Sequence, residues 1–537
     1  MLNKKTALFP FSIIVAFAIL TQQGAALARE AAYAGLSEQA LGLGLNPEDI
    51  SSPQASAPAA LPPPVVDVNS IEAIVLLNGA EMMAATPEQR LAMLKTLVKN
   101  SRPGMNNSES FGRQQEDIEN AIYRLLESAP DAASFDSMYY HVRSYNLHNS
   151  VSYAKSIKRL VKKHLAGTVP GDWAGLGRYI DTVTGSRSSG LNSVDFLIDS
   201  KVLPAAVEAI EAAEKSIHIE IYQLQADEIG WGLARKLAAK AKAGVQVRLI
   251  VDYYGSGLKK NEEIKKLLAF LRENGAEALV RNSPKFTGSR DHRKVMVIDG
   301  RVGFTGGMNI GGHYQVDWHD QQTLITGPAV ARLQDSFLAQ WAEAGGKARA
   351  DEEFYPALKE VPGGVEARVV YHRGNEDRNI KAMYLRAFYT AQTSIRVAVP
   401  YFADPQIVDA LCAAAGRGVK VQLVLPAANN KGIAMRSSRS FYPQLLKAGV
   451  EIYEYQGRMA HQKVAVMDGV WSTFGSSNLD SRSLKNNHEL NLAVLDERLA
   501  GYIGREMFDA DLLKSERILT FKPGLLDRLA GHLYPWL

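Results

Sequence analysis

The sequence carries one pattern of chemically capable residues twice. His292-x-Lys294-x4-Asp299 recurs as His461-x-Lys463-x4-Asp468 at an offset of 169 residues, and the flanks hold the same register. Gly306 matches Gly475, Asn309 matches Asn478, and Asp320 matches Glu489. The chain has eleven histidines; at odds of roughly one in three hundred for the right neighbours, a single such pattern arises by chance in about a few per cent of chains. Two in register, with matched flanks, require a duplicated unit. At 537 residues there is room for two such units and a further region.

The duplication extends into the predicted elements. Ala213–Glu220 is echoed by Ala391–Ala398, each a helix end running into a strand, and Gly244–Val251 by Gly418–Leu425, each a strand entered after an Ala-rich helix. Strands separated by helical patterns predict α/β units with parallel or mixed sheets. We place these units at residues 186–350 and 366–537, related by a pseudo-twofold axis.

Upstream the character changes. Lys4 and Lys5, the apolar stretch Phe9–Leu20 and Ala26-Leu27-Ala28 have the layout of a signal peptide over residues 1–28, which directs the chain across a bacterial inner membrane. The apolar run is short of the ~20 residues that a spanning helix needs, so an uncleaved anchor is the weaker alternative. Residues 29–67 form an Ala/Pro-rich linker whose Pro62–Pro64 run excludes helix and central strand. From 68 to 185 the pattern is mostly helical, with a capping box at Thr86-Pro87-Glu88-Gln89 ahead of Leu91, Leu94, Leu97 and Val98 on one face. Within it, residues 153–166 set Lys155, Lys158, Arg159, Lys162 and Lys163 opposite an apolar face. That suits either an anionic membrane surface or an ordinary solvated helix.

Composition removes several chemistries. Cys412 is the only cysteine, which excludes an intramolecular disulfide and a thiolate zinc site. The net charge of +4 falls to +2 without Lys4 and Lys5, too small for a general nucleic-acid binder, so no nucleic-acid partner is expected. His313 and His319, near Asp317 and Asp320, lack a recognised ligand spacing, and neither metal nor cofactor is expected.

The duplicated residues suit a phosphodiester, which is anionic and a poor electrophile. Lys294 and Lys463 supply positive charge, while Asn309 and Asn478, on loops after strands, supply hydrogen-bond donors. One imidazole can attack phosphorus and the other protonate the departing alkoxide, because histidine titrates near working pH. Two half-sites then make one active site. Tyr222 and Tyr401, at matching strand ends, are expected to pack rather than act.

Residues 186–537 resemble the phospholipase D superfamily, and within it the bacterial cardiolipin synthases. The resemblance rests on the paired motifs, on Phe304–Ile310 and Gly475–Ser483 behind them, on Pro400-Tyr401-Phe402, and on Asn487-His488-Glu489-Leu490. It implies two phospholipase D-like α/β sandwich repeats sharing one pseudo-twofold active site, preceded by the mostly helical region. It also implies metal-independent transfer through a phosphohistidine on His292, with His461 as general acid and then base. An acid 28 positions after each motif histidine is implied to hold that histidine's ring, Asp320 for His292 and Glu489 for His461, and Asp299 and Asp468 support the motif loop. The implied substrates are phospholipids, phosphatidylglycerol first, met at an anionic membrane surface from the periplasmic side as a peripheral protein; oligomeric state is left open. Two departures stand out: Gly312 and His313 replace an acidic pair common in these synthases, and the usual pair of N-terminal membrane spans gives way to the signal-like segment. Competing expectations are hydrolysis by a phospholipase D, a periplasmic phosphodiesterase or nuclease, and a lipid-binding scaffold with a dead site.

Overall fold

A computed structural model of the chain describes residues 67–100 apart from Asn78, parts of 118–138, and residues 170–532 apart from 185, 187, 283–288, 349–351, 375 and 376. The signal-like segment, nearly all of the linker and the basic stretch 153–166 lie outside the described residues.

Seventeen strands are named among the described residues. The first half contributes β1 (Leu191–Ile198), β2 (Ser216–Ile221), β3 (Gln246–Asp252), β4 (Glu277–Arg281), β5 (Lys294–Ile298), β6 (Val302–Gly306), β7 (Trp318–His319) and β8 (Gln321–Thr326). The second contributes β9 (Val365–His372), β10 (Ser394–Ala398), β11 (Lys420–Pro426), β12 (Glu451–Tyr455), β13 (Met459–Ala460), β14 (Val464–Met467), β15 (Trp471–Gly475), β16 (Glu489–Leu495) and β17 (Ser515–Ile518). Fifteen of them form one sheet in the order β17-β12-β11-β10-β14-β15-β16-β9-β1-β8-β6-β5-β2-β3-β4. The order reads the same from either end, apart from the extra β17. In each half three parallel strands (β2-β3-β4, β10-β11-β12) meet an antiparallel hairpin (β5-β6, β14-β15), and the halves join where β1 runs antiparallel to β9.

The parallel strands need crossovers, and helices Glu228–Lys242 and Pro405–Gly416 supply them. Asp227 and Asp404 cap these helices by accepting N–H bonds in the first turn, and Pro405 sits where its missing N–H costs nothing. Each half keeps its own core, around Ile219, Leu249 and Leu268 in the first and Ile395, Leu423 and Phe388 in the second. A third cluster bridges them, with Phe196 edge-on to Phe474 at 5.3 Å. The active-site elements therefore hang from a continuous, doubly supported sheet.

The two motif aspartates explain their own position. Asp299 and Asp468 both have φ of 52°, followed by Gly300 and Gly469 at 62° and 67°, the backbone of a tight hairpin turn joining β5 to β6 and β14 to β15. Their carboxylates accept backbone N–H bonds at the starts of β2 and β10, Asp299 from Glu214, Lys215 and Ser216 and Asp468 from Gln392, Thr393 and Ser394. Asp299→Ala should therefore cost about 2–3 kcal/mol in urea denaturation, through lost charge-assisted bonds and a left-handed backbone that alanine resists, with Asp299→Asn costing less.

In the N-terminal region, helix Pro87–Asn100 opens with a reciprocal capping box: Thr86 N–H donates to Gln89 Oε1 at 2.9 Å and Gln89 N–H to Thr86 Oγ1 at 3.2 Å. Its buried Leu94 and Leu97 pack with Ile74, Met82 and Leu125 in a separate small core. Helix Trp173–Thr184 instead packs on the second half, stacking Trp173 on Trp471 at 6.0 Å and pairing Asp181 with Arg368 at 2.8 Å.

Candidate active site

His292 and His461 precede β5 and β14 by two and three residues, so extended backbone sets His292 and Lys294, and likewise His461 and Lys463, on one face at i and i+2. The histidine backbones are fixed from the opposite half. His292 N–H donates to His488 carbonyl at 3.0 Å, and His461 N–H to His319 carbonyl at 2.7 Å. The two-stranded pair β7-β13 carries the second of these contacts, with Ala460 opposite His319.

Since His488 precedes Glu489 and His319 precedes Asp320, this pairing brings each acid to the other half's histidine. His292 Nδ1 lies 3.0 Å from Glu489, and His461 Nδ1 lies 2.6 Å from Asp320. Each imidazole is thus oriented by the acid of the opposite repeat, not its own. Within one repeat β6 lies between β5 and β8, and the bonds of both acids to imidazole run to the other repeat. A carboxylate accepts, so Nδ1 carries the proton and Nε2 presents a lone pair.

The two half-sites are not equivalent. Ser476 Oγ donates to Glu489 Oε2 at 2.5 Å, whereas the corresponding residue is Gly307, where a Cβ would lie 2.2 Å from Asp320 Oδ1. Lys463 Nζ lies against the His461 ring, 3.1 Å from Nδ1 and 3.2 Å from Nε2, while among the described residues Nε2 of His292 makes no hydrogen bond. Lys294 Nζ donates to the His292 carbonyl at 2.5 Å, and Lys463 Nζ to that of His461. Asn309 accepts the Gln223 N–H at Oδ1 (3.1 Å), which leaves its NH2 as a donor. Asn478 is tied to Ser483 Oγ at 3.3 Å with its Oδ1 buried and unpaired. Turning that amide over, which leaves the atoms in place, lets Ser483 donate to Oδ1 and makes the remaining NH2 the donor.

Burial dominates the electrostatics. Desolvation, then the charges of Lys294 and Lys463, holds both imidazoles well below the usual histidine range. Burial also brings Lys294 down to about 7 and Lys463 to about 8, and pushes Asp320 up to about 7 and Glu489 upward. Without substrate the site holds two neutral imidazoles between two weakened cations. An arriving phosphodiester supplies the anion that favours both ammonium groups and protonation of one imidazole.

Other groups were less legible. Tyr222 packs edge-on to the His292 ring at 4.7 Å, and Trp318 lies 4.7 Å and Tyr401 6.5 Å from the His461 ring. The tyrosines do pack, and what they pack against is the pair of motif histidines. His319 is held between Asp199 and Asp511, at 3.0 and 2.9 Å, and these carboxylates overcome burial to raise it to about 9. His313 packs edge-on to Trp318 at 4.6 Å, and Gly312 N–H donates to Asp227 at 2.6 Å. Among the described residues no group of three or more His, Cys, Asp or Glu forms a metal-holding cluster.

Fold and site together bring two oriented imidazoles, two lysines and two asparagines to one place, the set of groups that phosphodiester transfer requires. The family model described as "Cardiolipin synthase, PLD-like domain" matches residues 206–341 and 384–511. The chain is 31% identical over 344 residues to the probable cardiolipin synthase YwiE of Bacillus subtilis, covering 61% of this chain and 68% of that protein. It is 40% identical over 300 residues to a cardiolipin synthase of Geobacillus kaustophilus, covering 52% and 58%. The crystal structure of a phosphatidylserine synthase from Haemophilus influenzae superposes with a TM-score of 0.53 at 14% identity, over 68% of this chain and all of that one, a likeness of fold. The chain belongs to the phospholipase D-like cardiolipin synthase family. The Geobacillus match spans under two thirds of that relative's length.

Proposed function

We propose that the protein condenses two phosphatidylglycerols to cardiolipin and glycerol, working on a membrane surface without metal or nucleotide. Nε2 of His292 attacks phosphorus as the bond to the departing glycerol breaks, and His461 gives that alkoxide its proton. His461 then removes the proton from the terminal hydroxyl of a second lipid, whose oxygen displaces His292 from phosphorus. One phosphodiester is exchanged for another, so no energy source is needed. Lys294, Lys463, Asn309 and Asn478 stabilise the developing charge.

The observation that carries this reading is the crossed pair of oriented imidazoles with one unengaged Nε2, on His292. Purified protein given phosphatidylglycerol should release glycerol and cardiolipin in equal amounts, with the rate unchanged by EDTA. Phosphatidic acid as the main product would make it a hydrolase, and loss of activity in EDTA restored by one metal would overturn the phosphohistidine reading.

The proposed place of action is the periplasmic side of the inner membrane, resting on the signal-like residues 1–28. Among the described residues no helix is long and apolar enough to cross a membrane. The basic face at 153–166 is the proposed contact with anionic lipid, and salt-sensitive sedimentation with anionic vesicles is the corresponding measurement.

A further inference from the structure

Three cations that the repeated motif does not contain gather beside the catalytic histidines. Arg290 donates to the Tyr222 hydroxyl at 3.3 Å and lies 3.9 Å over the Tyr254 ring. As Tyr222 packs on His292, Arg290 stands one tyrosine ring from the nucleophile. Lys431 lies 4.7 Å over the ring of Tyr401, which in turn faces His461. Arg482 is near enough to repel both Arg290 and Lys431, and its Nε is buried with no hydrogen-bond partner. Asp480 acts on Lys431 and Arg482 as their nearby carboxylate, leaving the cluster with more positive charge than negative.

Arg290 and Arg482 are half-buried and Lys431 is exposed beside them, and mutually repelling cations, one with a buried unmet donor, are costly unless an anion joins them. The chemistry of condensation names that anion. Cardiolipin has two phosphodiesters joined by a single glycerol. When the acceptor's terminal hydroxyl meets the phosphorus on His292, its own phosphate must stand one glycerol away. The catalytic lysines and asparagines serve the first phosphate, and a charged group is needed at that remove for the second.

We propose that Arg290, Lys431 and Arg482 form a second phosphodiester-binding site, which holds the phosphate of the acceptor lipid. The proposal rests on the phosphatidyl-transfer reading above and adds to it the basis of acceptor choice. Water and free glycerol carry no phosphate and gain nothing from this site, whereas phosphatidylglycerol is drawn in with its hydroxyl directed at the intermediate.

Two soluble acceptors isolate the effect: labelled glycerol, and glycerophosphoglycerol, which has the same terminal hydroxyls plus a phosphodiester and no acyl chains. With phosphatidylglycerol as donor in neutral detergent, the wild type should prefer glycerophosphoglycerol by at least about tenfold in kcat/KM, the scale of charge-assisted hydrogen bonds. The preference should shrink as salt rises. The double variant Lys431→Gln/Arg482→Gln should bring it near parity, and Lys431→Arg should keep it. A preference that survives the double variant, or a wild type that uses both acceptors equally, overturns the second site. A wild type that transfers to neither acceptor sinks the transfer reading itself, which separates the two failures.

Discussion

His292→Ala is expected to remove transfer and hydrolysis together, by about 10⁴-fold or more, because without the nucleophile neither reaction can begin. His461→Ala should cost about 10²- to 10⁴-fold, the range for loss of a general acid. The geometry distinguishes the two. Nε2 of His292 is unengaged among the described residues, with Nδ1 held by Glu489, while the Lys463 ammonium lies against the His461 ring, 3.1 and 3.2 Å from its two nitrogens. An imidazole with a cation against its ring is a poorer nucleophile, and it becomes an acid once substrate phosphate neutralises the lysines. Quenching with labelled phosphatidylglycerol under alkaline conditions, where phosphohistidine persists, should give an adduct on His292 in the wild type and none in His292→Ala. An adduct on His461 that persists in His292→Ala would reverse the assignment.

Much of this was legible in the sequence because the chain states it twice. The offset of 169 residues located both histidines, both lysines and both asparagines, and the strand echoes gave the α/β class. The capping box at Thr86 was readable for a local reason, since both of its bonds lie within four residues. The pairing of acid with histidine was not readable. Both acids sit 28 positions after a motif histidine, so own-repeat and cross-repeat pairing look alike in one dimension. Only the folded distances, 3.0 Å from His292 to Glu489 and 2.6 Å from His461 to Asp320, decide for the second. Arg290, Lys431 and Arg482 come from unrelated loops at no shared spacing, and Ser476 against Gly307 is a difference within the repeat rather than a repetition. A search for likeness passes over such differences, although they are what makes two similar half-sites do different work.

The crossed acids give the second large effect. Asp320→Asn should weaken His461, and Glu489→Gln should weaken His292, each by about 10²- to 10⁴-fold, because an amide no longer enforces the tautomer with its proton on Nδ1. A phosphatidyl nitrophenol separates the two, since nitrophenolate leaves without a general acid. With this substrate Asp320→Asn should still release a burst of nitrophenolate and accumulate the His292 adduct, its defect confined to the later step in which His461 must act as base. Glu489→Gln should show no burst, because attack itself is slowed. Asp320 and His292 lie in the same repeat, so a scheme in which each acid serves its own histidine expects the opposite: no burst from Asp320→Asn and a normal one from Glu489→Gln. Burst amplitudes in the two variants therefore test whether a backbone pairing between repeats, His292 to His488 and His461 to His319, decides which carboxylate governs which chemical step.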